Sequence, residues 1–302
     1  MTSIRTRVRT WLFVAALTAL LLSVGAALGG GFVYAFAAIA IAMNVIGYWC
    51  SDRIALAVSR ARPLAERDAP AVHKTVGDLS RLAGVPVPRL YLVDSPQPNA
   101  FATGRSPSHS AVAVTQGLLD QLSPQQVRGV LAHELAHIRN RDVRVSAIAA
   151  MIAGAVAAIA NVLQFSMLFG GGEDDHDGPL AWVGTLAAIL IAPLAAMLLQ
   201  LAVSRQREYL ADASAARMLG GGESLADALE QLDAGTRTAP MAVNPAFASV
   251  YIANPLPRAG LAGLFSTHPP VAERVRRLRE FHGSPAAVDL AVAARRPGLR
   301  VQ

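Results

Sequence analysis

The stretch Ser123-Pro-Gln-Gln-Val-Arg-Gly-Val-Leu-Ala-His-Glu-Leu-Ala-His-Ile-Arg-Asn-Arg-Asp142 decides how this chain is read. Ser123, Pro124 and Gln126 spell a helix start: a capping hydroxyl, a proline at the first helical position and a glutamine that closes a capping box. Val127, Val130, Leu131, Leu135 and Ile138 recur at helical spacing. The helix is therefore expected to run close to, or into, the uncharged stretch that follows. On it stands His133-Glu134-Leu135-Ala136-His137, the H-E-x-x-H arrangement. Residues four apart on an α-helix lie about 40° apart around its axis, so both imidazoles can face one metal ion while Glu134 reaches a water on that ion. Two surface histidines and a glutamate on a solvated face would be the plainer reading, but the flanking residues are apolar.

Hydrolytic zinc sites take three protein ligands and leave a fourth position open, so a third ligand is needed. The best candidate is Glu208, in Ser204-Arg-Gln-Arg-Glu-Tyr-Leu-Ala-Asp212. Glu208 and Asp212 are also four apart on a predicted helix, so one carboxylate can bind the metal while the other accepts a ring N–H from His133 or His137. A salt-bridged helix face beside Arg205 and Arg207 is the alternative. Chain topology favours the ligand reading, and it rests on the uncharged runs of the sequence.

The 302 residues carry 27 Lys+Arg against 21 Asp+Glu, 53% hydrophobic and only 16% charged residues, with a mean hydropathy of +0.38. That is too apolar for a disordered chain and too poorly charged for an ordinary soluble enzyme. No charge occurs from Thr10 to Ser51, a run broken at Gly29-Gly30-Gly31, and further uncharged runs cover Val145–Gly172 and Gly178–Ser204. Four transmembrane helices are predicted, at about 11–28, 32–50, 145–169 and 179–203, each near the roughly 20 residues a bilayer core requires. Arg5, Arg7, Arg9, Arg53, Arg60, Arg62, Arg139, Arg141, Arg144, Arg205 and Arg207 flank these spans, while the link Glu173–Asp177 holds no Lys or Arg. Both termini and the segment between the two hairpins are thus expected in the cytoplasm. The apolar start continues for two spans without a small-residue cleavage site, which disfavours a cleaved signal peptide. The basic balance is explained by arginines on the cytosolic rim, so no nucleic acid is expected as a partner. Cys50 is the single cysteine, which excludes an intramolecular disulfide and a Cys-based zinc cluster.

The expected organisation is an N-terminal transmembrane hairpin (1–51), a first cytosolic part with the H-E-x-x-H helix (52–144), a second hairpin (145–204) and a second cytosolic part with the third ligand (205–302). Because the second hairpin returns both ends to one membrane surface, His137 just before it and Glu208 just after it can meet. Within the cytosolic parts, Ala71–Ala83 reads as a helix stopped by Gly84, Pro86 and Pro88. The runs 89–94 and 110–115 read as short strands of a small sheet. Residues 205–218 read as a helix ended by Gly220-Gly221-Gly222, and 291–302 as a frayed tail.

Several segments together carry a family resemblance: Asn99-Ala-Phe-Ala-Thr-Gly104, Ala113-Val-Thr-Gln-Gly-Leu-Leu119, Leu131 to Asp142, Ser204 to Asp212, and Ser266-Thr-His-Pro-Pro270. The sequence resembles the membrane-embedded zinc metalloproteases of the M48 family, most closely the HtpX-type heat-shock proteases of bacterial inner membranes, and the likeness covers nearly the whole chain. It implies a mainly α membrane protein with four transmembrane helices and a cytosolic, zincin-like α+β protease domain. It also implies one Zn²⁺ bound by His133, His137 and Glu208, with Glu134 as general base and Asp212 as second-sphere support. The segment Asn99-Ala100-Phe101 would be an edge strand that pairs with extended substrate, consistent with a short strand beside polar turns. Unfolded or misfolded membrane proteins are the substrates implied, in the inner membrane of a bacterium. Gln125-Gln126 stands where acidic residues are common in the family.

His268 has two readings that can both hold. Thr267 and Pro269 can cap and start a basic helix over 269–281, while the resemblance implies an active-site His that stabilises the oxyanion. His73, His109, His176 and His282 fit no ligand geometry. Tyr209, next to Glu208, should point away from the metal on a helix. Two other functions are weighed beside the protease: a prenyl-protein processing enzyme of the CAAX type, which needs more membrane crossings, and a scaffold with a structural zinc.

Overall fold

The computed structural model describes residues 30–143, 205–238, 250–255 and 269–281, with single positions 15, 18, 19, 22, 241 and 248. Most of the expected span 11–28, the spans 145–169 and 179–203, the acidic link, His268 and the C-terminal tail lie outside the described residues. The expected span 32–50 falls within helix α1 (Gly30–Val58), whose uncharged part ends at Asp52. Among the described residues no helix is long and apolar enough to cross a membrane.

After α1 come β1 (Arg62–Pro63), α2 (Pro70–Ala83), β2 (Arg89–Val93), β3 (Ala100–Ser106), β4 (His109–Thr115), α3 (Gln116–Gln121) and α4 (Pro124–Asn140). Then follow α5 (Arg205–Leu219), α6 (Glu223–Thr238) and α7 (Val271–Arg279). The sheet runs β1-β2-β4-β3, with β2 parallel to β4 and both outer pairings antiparallel. Alternation along β4 splits the interior in two. Val112 and Val114 join Leu90, Leu92 and Ala102 in the main core, against the helices. Ala111 and Ala113 join Phe101, Ala55, Leu56 and Tyr251 in a smaller cluster under the end of α1.

Helix α4 lies between the sheet and the other helices. Its start is the capping box read from sequence: Gln126 N donates to Ser123 Oγ at 3.3 Å and Ser123 N donates to Gln126 Oε1 at 2.8 Å. Gln126 Nε2 also donates to Gln231 Oε1 of α6 at 3.2 Å, which gives the departure from acidic residues a structural use. Val130, Leu131, Leu135 and Ile138 are fully buried, each contributing about 1.5–3 kcal/mol of burial. Gly129 lets α6 approach: a Cβ there would meet the backbone of Leu225 at 2.8 Å.

Of the two expected outcomes for α4, the helix runs close to the uncharged stretch and not into it. The helix stops at Asn140, and Arg141 adopts the left-handed conformation (φ 63°) with its N–H bonded back to the carbonyls of His137 and Ile138. This turn places Asp142 beside His137, its Oδ2 at 3.3 Å from the ring Nδ1.

Candidate active site

His133 and His137 stand one turn apart on α4, and their Nε2 atoms are 3.0 Å apart. Glu208, from the first turn of α5, brings Oε1 to 3.4 Å from His137 Nε2 and Oε2 to 3.7 Å from His133 Nε2. Tetrahedral zinc with ligand bonds near 2.0–2.1 Å separates its ligand atoms by about 3.4 Å. These three donors fit that geometry before any adjustment, and among the described residues they form the one such cluster.

The outer nitrogen of each imidazole is fixed by a carboxylate. His133 Nδ1 lies 2.9 Å from Asp212 Oδ1, and His137 Nδ1 lies 3.3 Å from Asp142 Oδ2. An Nδ1–H donated to a carboxylate leaves each Nε2 lone pair for a metal and makes the imidazole more basic. Asp212 is in turn held by Arg274, whose Nε and Nη2 donate to Oδ2 and Oδ1 at 2.9 and 2.8 Å. The guanidinium is 1% exposed; Nη1 donates to the carbonyl of Ile252 at 3.3 Å and lies 3.7 Å from Glu208 Oε2. A buried cation thus faces the carboxylates that a metal ion would also face.

Burial and these charges set the protonation of the metal-free site. Burial pushes the His133 imidazole down to about 4, with the charge of His137 acting the same way. Burial alone would also lower His137, but Glu208, Asp142 and Glu134 outweigh it and raise the imidazole to about 9. Glu134 is pushed up to about 7, first by burial and then by Glu208, although His137, the backbone N–H of Ala102 and Arg274 oppose the shift. Asp212 is buried too, yet Arg274 and His133 hold its carboxyl below the usual carboxylate range.

The structure therefore gathers His133, Glu134, His137, Glu208 and Asp212 at one place. His268 lies outside the described residues. Tyr209 turns away from the metal site, as expected, and lies under the Arg277 guanidinium at 3.8 Å from its ring centre. His73 Nε2 donates to Leu64 O at 2.9 Å, and His109 contacts Ser106 and Ser108.

At Asn99-Ala100-Phe101 the strand edge is taken by the chain itself. Ile252 N donates to Ala100 O at 3.0 Å, Phe101 bridges Tyr251, and their rings stand edge to face at 4.9 Å. Asn99 Nδ2 donates to Ala253 O at 2.9 Å, and its Oδ1 accepts from Ala253 N at 3.3 Å. All three residues are buried. β3 is nevertheless an outer strand of the sheet. Thr115 N bonds to Asn99 O, so Asn99 faces β4 and Ala100 faces outward; by alternation Ala102 and Gly104 face outward as well.

Sequence reasoning missed Asp142, Arg274 and the backbone of Ala102. The signal for Arg274 was available, because of the four arginines of α7 it alone shares a face with Val271, Val275 and Leu278. Asp142 depends on the left-handed turn at Arg141, which no glycine announces.

The sequence profile of Peptidase family M48 matches residues 66–282. "Protease HtpX homolog" of Pelotomaculum thermopropionicum is 51% identical over 272 residues, covering 89% of this chain and 97% of that protein. Its namesake in Syntrophobacter fumaroxidans is 50% identical over 280 residues, with 91% and 99% covered. A namesake in Pyrococcus furiosus is 46% identical over 277 residues, with 91% and 95% covered. Among solved structures, Ste24p of S. mikatae superposes with a TM-score of 0.51 at 20% identity, covering 92% of this chain and 66% of that longer one. That likeness extends to the fold alone. Matched by the family profile over most of its length and by these relatives nearly end to end, the chain belongs to peptidase family M48 and is a metalloprotease.

Proposed function

We propose that this chain is a membrane-integrated zinc endopeptidase acting at the cytoplasmic face of a bacterial inner membrane on misfolded or damaged membrane proteins. The observation that carries the reading is the cluster of His133 Nε2, His137 Nε2 and a Glu208 carboxylate at 3.0–3.7 Å, with buried Glu134 beside it. A zinc ion held by these three groups supplies Lewis acidity to a water and to the scissile carbonyl. Glu134 is the general base: its pKa near 7 suits it to take a proton from the water and return it to the leaving amine. Ala102 N–H fixes the orientation of the Glu134 carboxylate. Asp212 and Asp142 hold the histidines in the tautomer that leaves Nε2 free. Arg274 keeps Asp212 ionised and in place. His268 keeps the role the resemblance implies, a donor to the oxyanion.

Substrate is proposed to lie along the outer edge of β3 as an added strand, which is the role the resemblance gives Asn99, Ala100 and Phe101. Because residues 251–253 already occupy the outward groups at Ala100 and Glu134 holds the Ala102 N–H, the peptide is placed further along, at the Ala102 carbonyl and Gly104.

Membrane integration, with four spans, both termini cytoplasmic and the domain limits set out above, rests on the uncharged runs and their arginine flanks. The surface of α1 supports it: Tyr34, Ile39, Ile41, Val45, Ile46 and Trp49 are all exposed, an apolar belt that water disfavours. The relatives, named as proteases of HtpX type, favour neither the prenyl-processing nor the scaffold reading.

The test is cleavage of casein by the detergent-purified chain, with zinc content measured alongside. The wild type should bind one zinc and cleave; Glu134→Gln should bind zinc and lose at least about 10²-fold in rate; His137→Ala should lose the metal. Cleavage retained by either variant would overturn the assignment.

A further inference from the structure

Away from the metal site, a pocket of about 300 Å³ opens between the β3–β4 hairpin and the turn that ends α4. Arg105, Ser106, Ser108 and Arg141 supply its polar lining, with Pro86 and Val143 as apolar walls. Neither arginine has a carboxylate partner among the described residues, whereas Arg274, Arg276, Arg277 and Arg279 of α7 all have one. Two arginines without a carboxylate partner among the described residues therefore line one concavity.

The backbone presents these groups on purpose-built turns. Gly104 sits at φ 143° at an irregularity in the β3–β4 register, and a Cβ there would meet His109 O at 2.3 Å. The bulge re-aims the residues that follow it. Arg105 leaves this point with its guanidinium 4.8 Å from the centre of the Trp49 ring. Arg141 is fixed by the left-handed residue that terminates α4. The hydroxyls of Ser106 and Ser108 lie 3.1 Å apart and share His109 Nδ1 at 3.1 and 3.2 Å, so each can rotate toward an anion in the pocket.

Two arginine forks with two hydroxyls, and no acid among the lining residues, form a receptor for a phosphate group. The surroundings say what carries the phosphate. Trp49 is exposed at the end of the uncharged run from Phe32 to Cys50, and Val143 stands two residues before the run that begins at Val145. Interfacial Trp and juxtamembrane Arg mark the depth of the lipid headgroups. We propose that this pocket binds the phosphate of one anionic phospholipid, with Trp49 and Val143 beside its glycerol and upper acyl chains. The inference rests on the membrane placement proposed above. It goes beyond a general attraction of rim arginines for acidic lipid, because a shaped pocket holds one lipid with defined partners.

The test is native mass spectrometry of the full chain released from detergent, with phosphatidylglycerol, phosphatidylcholine or inorganic phosphate added. One retained phosphatidylglycerol is expected, preferred over phosphatidylcholine by about 25-fold, since each interfacial arginine is worth about fivefold. The double variant Arg105→Gln/Arg141→Asn should lose the preference; Asn at 141 tolerates the positive φ. Arg67→Gln/Arg81→Gln, which removes the same charge elsewhere, should keep it. A preference unchanged in the pocket variant overturns the site. Inorganic phosphate that binds as tightly as the lipid, or displaces it, overturns the lipid as the source. Recovery of the chain in the soluble fraction without detergent would remove the membrane reading and the lipid with it, while the phosphate arm on that soluble protein still reports whether the pocket binds phosphate. Zinc content and melting temperature of each variant, unchanged from wild type, exclude misfolding.

Discussion

Arg274 grips Asp212 through two parallel hydrogen bonds of 2.9 and 2.8 Å, so a residue near the end of the chain sets the orientation of His133. The link runs guanidinium, carboxylate, imidazole, metal position. It also places a permanent positive charge against three buried carboxylates, Glu134, Glu208 and Asp212, which limits their repulsion when no metal is present.

Replacing this cation is expected to injure both metal binding and stability. Arg274→Met leaves buried Asp212 without its cation and with His133 as its remaining partner, a loss of about 3–5 kcal/mol, and lets His133 turn, weakening zinc about 10–100-fold. Arg274→Lys keeps the charge but not the two-pronged geometry, so it should recover stability more than zinc affinity. Chelator competition and thermal melts of the two variants read these separately. Zinc affinity within twofold of wild type in Arg274→Met would show that Asp212 orients His133 unaided.

The two Nε2 atoms facing each other at 3.0 Å make metal binding a proton-exchange reaction. His137 is raised above its ordinary 6.5 to about 9, so in the metal-free fold it carries a proton at neutral pH. The stabilisation this proton gives the metal-free chain is complete below 6.5 and is lost as pH rises through about 9. Zinc must displace the proton, so log affinity should climb by about one per pH unit from 7 toward 9 and then level off. His133, lowered to about 4, adds nothing in that window, and Glu134 at about 7 adds a fraction near neutrality. Titration calorimetry in buffers of different ionisation enthalpy should give about one proton released per zinc at pH 7.5. Affinity flat across this range would mean that His137 is neutral in the metal-free site.

Close approach at Gly129 is a packing requirement. Gly129→Ala places a methyl group against Leu225 N and Cα at 2.8–2.9 Å, contacts with backbone that cannot rotate away. Helix α6 must shift, and overpacking of this kind costs about 1–3 kcal/mol. Ser123→Ala, which removes the cap of the same helix, should cost about 1 kcal/mol without displacing anything. Both are read as melting shifts of the zinc-loaded chain in detergent, with the glycine variant the larger. A neutral Gly129→Ala would mean that α6 is free to move.

What was legible in the sequence was local. The start of α4 follows from Ser123, Pro124 and Gln126, three neighbours whose chemistry leaves few alternatives, and the two histidines follow from helical spacing. Glu208 was reachable by one topological step, because the two crossings expected between His137 and Glu208 would return the chain to the same surface. Long-range partners were not legible: Arg274 meets Asp212 across 62 residues and Asn99 meets Ala253 across 154. Neither periodicity nor capping signals encode such pairs. β3 was reached only through the family resemblance, since Ala100-Phe-Ala-Thr-Gly-Arg-Ser106 has small residues and no clean alternation. The residue at which α4 ends was not legible for a similar reason, as a left-handed arginine carries no glycine-like signature.

The amide of Asn99 provides the last prediction, because it separates two roles for the same motif. Its side chain accepts from Ala253 N and donates to Ala253 O, closing the segment 251–253 over the strand edge. In Asn99→Ala both backbone groups lose buried partners, at about 1–3 kcal/mol each. Hydrogen exchange at Ile252 and Ala253 should then quicken by at least about tenfold, while the amides of α4 around His133–His137 stay protected. If Asn99 instead touches bound peptide, exchange in the free enzyme would be unchanged and KM for a casein-derived peptide would rise. Faster exchange together with a lower KM would mean that residues 251–253 compete with substrate for the outer edge of β3, and that loosening them opens the cleft.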